Sequence, residues 1–133
     1  MFRIKYCREI SLKLLYQLDI LAPTEEERIP LIQQNLEFFK GLNQTEEKFV
    51  TDMVDKVIEK KQEIDQLITD NLIGWKLERL MLIDRNLLRL GIAESYFNDQ
   101  KAVIIDDVVR IAKKYGSEES YKIINAILDT VIK

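Results

Sequence analysis

The side chains that most often carry enzyme chemistry are nearly missing from this chain. It has no histidine and one cysteine, Cys7, which excludes an imidazole base, a His-ligated metal, a Cys-His nucleophile pair and a CxxC motif. Carboxylates cluster at Glu25-Glu26-Glu27 and Asp106-Asp107, but neighbours on a helix diverge by about 100° and do not converge on one cation. Helical di-metal centres commonly use Glu-x-x-His, which this chain cannot supply. There is no glycine-rich phosphate loop. What remains is charge and its placement. Residues 1–17 hold Arg3, Lys5, Arg8 and Lys13 against Glu9 alone, whereas residues 18–133 hold 16 basic against 22 acidic residues. The net charge of -3 argues against coating nucleic acid by bulk attraction. A basic front end on an acidic body fits either a local phosphate contact or a solvated helix face.

Those cations need elements to position them, and the apolar spacing supplies helices almost everywhere. A chain of 133 residues, 47% hydrophobic, with 4 Gly and 2 Pro suits one domain with a real core and few sharp turns. Cys7, Ile10, Leu14, Leu18 and Leu21 recur at steps of three and four and share a face, and Pro23 closes that helix. Thr24 and Glu27 have the form of a capping box, but Pro30 follows so soon that a loop with a short turn is expected. Leu31, Ile32, Asn35, Phe38 and Phe39 predict a second helix with Pro30 in its first turn and Gly41 at its end. A third begins at Asn43 or Thr45.

From Phe49 one stripe (Val50, Met53, Val54, Val57, Ile58, Ile64, Leu67 and Ile68) predicts a single long helix ending before Gly74. Trp75 is expected to plug a gap between helical layers. Ile83, Leu87, Leu90 and Phe97 mark the next helix, stopped by Asn98-Asp99. Val103 to Tyr115 follows, with Gly116 as a left-handed terminator. Ser117, Glu118 and Glu119 would open the last helix, with Tyr121, Ile124, Leu128 and Val131 as its core face. Asn125, between apolar residues, is expected to satisfy a buried backbone group. Cys7, on an apolar face with no histidine to activate it, reads as core. Six or seven helices and no sheet make an all-α fold. No apolar run approaches the roughly 18 residues of a membrane span, and the start MFRIKYCREI lacks a signal peptide's apolar centre, so a soluble, cytoplasmic protein is expected.

Read as words, the same segments resemble the NusB family of transcription antitermination factors. The carrying stretches are Arg8-Glu9 with Leu14-Leu15-Tyr16-Gln17, then Gly74-Trp75-Lys76-Leu77-Glu78-Arg79-Leu80, then Asp84-Arg85-Asn86-Leu87-Leu88-Arg89-Leu90 with Glu94. The last runs from Ala112-Lys113-Lys114-Tyr115-Gly116-Ser117-Glu118-Glu119-Ser120 to Ile124-Asn125-Ala126-Ile127-Leu128-Asp129. The resemblance implies two packed helical bundles in a single domain over residues 1–133, with no catalytic activity and no cofactor. It implies binding of boxA RNA together with NusE, which is also a small-subunit ribosomal protein, and through that pair an indirect attachment to the RNA polymerase elongation complex. Some RNA methyltransferases carry a similar domain before a catalytic one, and a free-standing factor is expected here.

Carried over position by position, the resemblance assigns RNA contacts to Lys5 and Arg8, with Arg3 nearby, and to the last helix around Lys122. Lys113 and Lys114 would add charge, and Glu119 would limit RNA affinity by repulsion. An aromatic residue that the family places near the RNA is replaced by Ile123. Tyr16, Glu78 and Asp84 match positions that contact NusE. Taken singly, the lysines also fit as solvated helix-end cations, Tyr16 as core packing, and Glu78 and Asp84 as helix caps or partners of Arg79 and Arg85. The alternative function is a helical protein-protein interaction module without specific RNA binding.

Overall fold

The computed structural model describes residues 1–38, 41–74 and 76–133, with residues 35–38 described by their backbone alone. Helix α1 (Ile4–Leu21) buries Cys7, Ile10 and Leu14 as the spacing predicts, and also Arg8, Ser11, Leu12 and Leu15. The second set lies one helical step round, so α1 is covered on two flanks. It packs on α3 (Gln44–Glu59) with one flank and on α5 (Leu82–Glu94) with the other. α1 ends at Ala22, whose left-handed backbone (φ 44°) returns its N–H to the Leu18 carbonyl.

Helix α2 (Glu25–Phe38) corrects one expectation, because Pro30 lies inside it. The Thr24–Glu27 capping box forms, with the Glu27 N–H donating to Thr24 Oγ1 at 3.3 Å and the Thr24 N–H donating to Glu27 Oε1 at 3.2 Å. Pro30 then removes only the bond to the carbonyl of Glu26, an exposed residue whose carbonyl water can serve. The long helix predicted from Phe49 is also corrected. It is two, α3 and α4 (Lys61–Asp70), broken at Lys60 (φ -107°, ψ 16°). α3 starts at Asn43, one of the two expected positions, with a full capping box to Glu46.

After a 3₁₀ turn at Leu77–Arg79 come α5, α6 (Lys101–Tyr115) and α7 (Ser120–Val131). α5 is the axle of the fold. Every residue from Asn86 to Glu94 is buried, because α1, α3, α4, α6 and α7 all pack on it. Gly91 lets α7 approach closely: a Cβ there would stand 3.1 Å from Leu128 Cδ1, so the Leu128 side chain would have to shift by a few tenths of an ångström. α5 joins the α1–α3 group to the α6–α7 hairpin, and the described residues form seven α-helices and no strand. Among them no helix is long and apolar enough to cross a membrane.

Three further expectations are revised. α6 ends at Gly116 through an extended backbone (φ -87°, ψ -176°) and not a left-handed one. α7 starts at Ser120, not at Ser117, which contributes its carbonyl to the Ser120 N–H and hydroxyl instead of an oxygen cap. Phe97 and Asn125 are exposed, Phe97 because α5 stops at Glu94 and the chain leaves the core in a turn. The expected places of Phe39 and Trp75, and of the side chains of Asn35 and Phe38, lie outside the described residues.

Candidate nucleic-acid interface

Arg8 is not a surface cation. Its side chain is 1% exposed, and it donates from Nε to Glu94 Oε1 at 2.7 Å, from Nη2 to Glu94 Oε2 at 2.6 Å and from Nη1 to Asp107 Oδ2 at 3.0 Å. Burial opposes the charge on this guanidinium, but the bonds to Glu94 and Asp107 outweigh it and hold Arg8 above its ordinary value. The expected phosphate contact is therefore corrected, because the fold places Arg8 where α1, α5 and α6 meet. Sequence reasoning did not single out Glu94 or Asp107 as its partners. The signal was there: each carboxylate falls on the apolar stripe of its own helix, where burial demands a counter-charge.

Arg3 is half exposed at 42% and closes on the α3 cap, donating from Nε to Glu46 Oε2 and from Nη2 to Glu46 Oε1, both at 2.9 Å. The Arg3 side-chain bond, more than any other cause, pulls the Glu46 carboxyl down to about 2. Arg3 also lies 4.8 Å over the Tyr6 ring. Lys5 is exposed, one turn before Glu9 on the same face of α1.

Glu9 brings the distant basic residues to that face. Lys114 at the end of α6 donates to its Oε1 at 3.0 Å, and Arg110 stands 3.7 Å from it while also bonding Asp107 at 2.6 Å. The Glu9 hydrogen bond is the main reason the Lys114 ammonium sits above its ordinary value. One helix edge away, Lys113 lies 4.9 Å and Lys122 6.0 Å from the centre of the Tyr121 ring. Lys122 also pairs with exposed Glu119 at 3.1 Å, and Lys114 lies 5.1 Å over Tyr115. The start of α1, the end of α6 and the start of α7 thus place Lys5, Arg110, Lys113, Lys114 and Lys122 along linked elements, against Glu9 and Glu119. Arg110 was not singled out from the sequence, although it lies one turn before Lys113 and Lys114.

Of the three positions expected to face a second protein, Tyr16 is 37% exposed and Glu78 is exposed on the 3₁₀ turn. Asp84 is buried at 5%, so its expected place on a partner surface is corrected. It points into the α6–α7 junction, where its Oδ1 has no hydrogen-bond partner among the described residues. Burial raises its carboxyl, and the Ser120 hydroxyl partly offsets this. That hydroxyl has one proton and donates it to the Ser117 carbonyl at 3.0 Å, so Asp84 is at best shared. No ion pair joins Glu78 or Asp84 to Arg79 or Arg85 among the described residues. Cys7 is fully buried, and burial pushes its thiol up to about 11. The described residues contain no group of His, Cys, Asp or Glu that could hold a metal.

The described residues thus form an all-helical scaffold that presents partly neutralised cations beside tyrosine rings. The chain belongs to the NusB family, whose model matches residues 6–133. The transcription antitermination protein NusB of Acetivibrio thermocellus is 39% identical over 128 residues, covering 95% of this chain and 86% of that protein. Its counterpart in Myxococcus xanthus is 36% identical over 126 residues, 93% of this chain and 90% of that one. Among solved structures, a chain from the crystal structure of antitermination factors NusB and NusE in complex with dsRNA superposes with a TM-score of 0.85 at 28% identity, covering 99% of this chain and 98% of that one. T. maritima NusB superposes with a TM-score of 0.82 at 31% identity, covering 96% and 89%.

Proposed function

We propose that residues 1–133 act as one helical RNA-binding domain that takes boxA-type RNA together with NusE in the cytoplasm. The pair joins the RNA polymerase elongation complex and keeps transcription processive, notably through ribosomal RNA operons. The observation that carries this reading is the near-complete superposition on a chain from a crystal of NusB and NusE in complex with dsRNA, combined with the cations gathered at the start of α1, the end of α6 and the start of α7. The protein works by binding, and no step of covalent chemistry is assigned to it.

The RNA-facing set is Arg3, Lys5, Lys113, Lys114 and Lys122, with Arg110 added and Arg8 removed. In the free protein Glu9 and Glu119 hold three of these cations, Arg110, Lys114 and Lys122. Phosphates arriving at the surface compete for them, so Glu119 sets a threshold that weak, non-specific RNA does not cross. Tyr16 and Glu78 supply the second face, where a half-buried ring and a free carboxylate suit a basic ribosomal protein.

Fluorescence anisotropy with boxA and scrambled RNA, with and without NusE at fixed salt, tests this. Preference for boxA that tightens on adding NusE is expected. Equal binding of both RNAs with no effect of NusE overturns it, and capture of NusE with no RNA binding favours the interaction-module alternative.

A further inference from the structure

We infer that Tyr121, whose ring lies under Lys113 and Lys122, is a stacking platform for an unpaired RNA base on the α6 side of α7. This rests on the RNA-binding reading above. Residues 121 and 123 are two steps apart on α7 and face directions about 200° apart. Ile123 is exposed but has no π-face, so it cannot stack a base. Tyr121 is partly buried against the core, which fixes the plane of its ring, and among the described residues the charged groups over that ring are the flexible ammonium groups of Lys113 and Lys122.

Those two lysines make the ring a switchable site. Exposed cation–π contacts are weak compared with the stacking of a base on an aromatic ring. A base therefore displaces the ammonium groups, and their long stems let them swing to the phosphates on either side of it. Lys113 comes from α6 and Lys122 from α7, so the strand is gripped from both sides of the stacked base. Lys114 over Tyr115 continues the same alternation of ring and cation along the end of α6, toward Glu9. Interleaved rings and cations are the pattern that binds single strands with stacking for affinity and charge for tracking.

The test uses the whole protein and a single-stranded boxA-type oligoribonucleotide carrying 2-aminopurine at each base position in turn. In the wild type, one position shows quenched 2-aminopurine emission on binding. Tyr121→Leu keeps the apolar packing and loses the π-face, so it is expected to abolish that quenching and weaken binding about tenfold, with the salt slope unchanged. Tyr121→Phe keeps both quenching and affinity. Lys113→Ala and Lys122→Ala keep the quenching and each lower the salt slope by about 0.7. Circular dichroism confirms that each variant is folded. Quenching and affinity retained in Tyr121→Leu overturn this inference alone, whereas a wild-type protein that binds no RNA overturns the RNA-binding reading with it.

Discussion

Replacing Arg8 with methionine removes the one cation that lies between two buried carboxylates, and the structure says which of the two will suffer. Asp107 keeps Arg110 at 2.6 Å. Among the described residues Glu94 keeps only the Asn98 amide at 3.1 Å, a neutral donor, on a side chain 1% exposed. Breaking a buried pair from one side typically costs about 3–5 kcal/mol, against a whole-domain stability of roughly 5–15 kcal/mol. With a urea slope of about 1.5 kcal/mol/M for a chain of this size, the midpoint falls by about 2–3 M at an unchanged slope. Adding Glu94→Gln to Arg8→Met relieves the stranded charge and recovers a large part of the loss, while adding Asp107→Asn recovers less. A midpoint shift under about 0.5 M, or better rescue from Asp107→Asn, refutes this reasoning. Because Arg8 faces inward, the folded Arg8→Met protein also keeps the wild-type salt slope for RNA.

Gly116→Ala is expected to destabilise by about 1–3 kcal/mol, since the new Cβ would collide with Ser120 Oγ and stand 2.8 Å from the Ala112 carbonyl and 2.9 Å from Asp84 Oδ1; a thermal midpoint equal to wild type contradicts it. Glu46 has its carboxyl lowered from 4.5 to about 2 in the folded protein, so its pairing stabilises above pH 4.5 and that contribution is lost as pH falls toward 2. Urea midpoints measured from pH 6 down to 2 should show wild type and Glu46→Gln converging at the acid end, and parallel curves would contradict the link. The Cys7 thiol, pushed up to about 11, should resist a disulfide-exchange reagent at pH 8 until the protein is unfolded in urea, and rapid labelling of the native state would show that α1 opens.

Much of the fold is readable in the sequence because the apolar stripes of α6 and α7 and the helix start at Asn43 point to the same answer as the packing. The break at Lys60 is not, since Val57 and Ile64 lie seven residues apart and drift only about 20°, so the stripe runs on through the kink. Pro30 misleads for a different reason: its missing N–H falls where the lost carbonyl partner is exposed to solvent. At Gly116 the position is right and the cause is not, as the site demands the absence of a Cβ and not a positive φ.

The candidate site was half legible. Lys5, Lys113, Lys114 and Lys122 are at the surface because they fall off the apolar stripes of their helices. Arg8 shares a helix face with Leu12 and Leu15, and that face is hidden only because α1 lies between α3 and α5. Asp84 is likewise taken inside by the α6–α7 junction. Which helices cover a face is decided by tertiary packing, and a single helix's periodicity does not contain it.

Amide chemical-shift mapping of the labelled protein titrated with boxA RNA reads the proposed surface directly. Shifts gathered at residues 3–6, 110–115 and 119–122 are the predicted result. Shifts confined to the α2–α3 groove around Ile29, Glu47 and Asp55 would place the RNA elsewhere and contradict it.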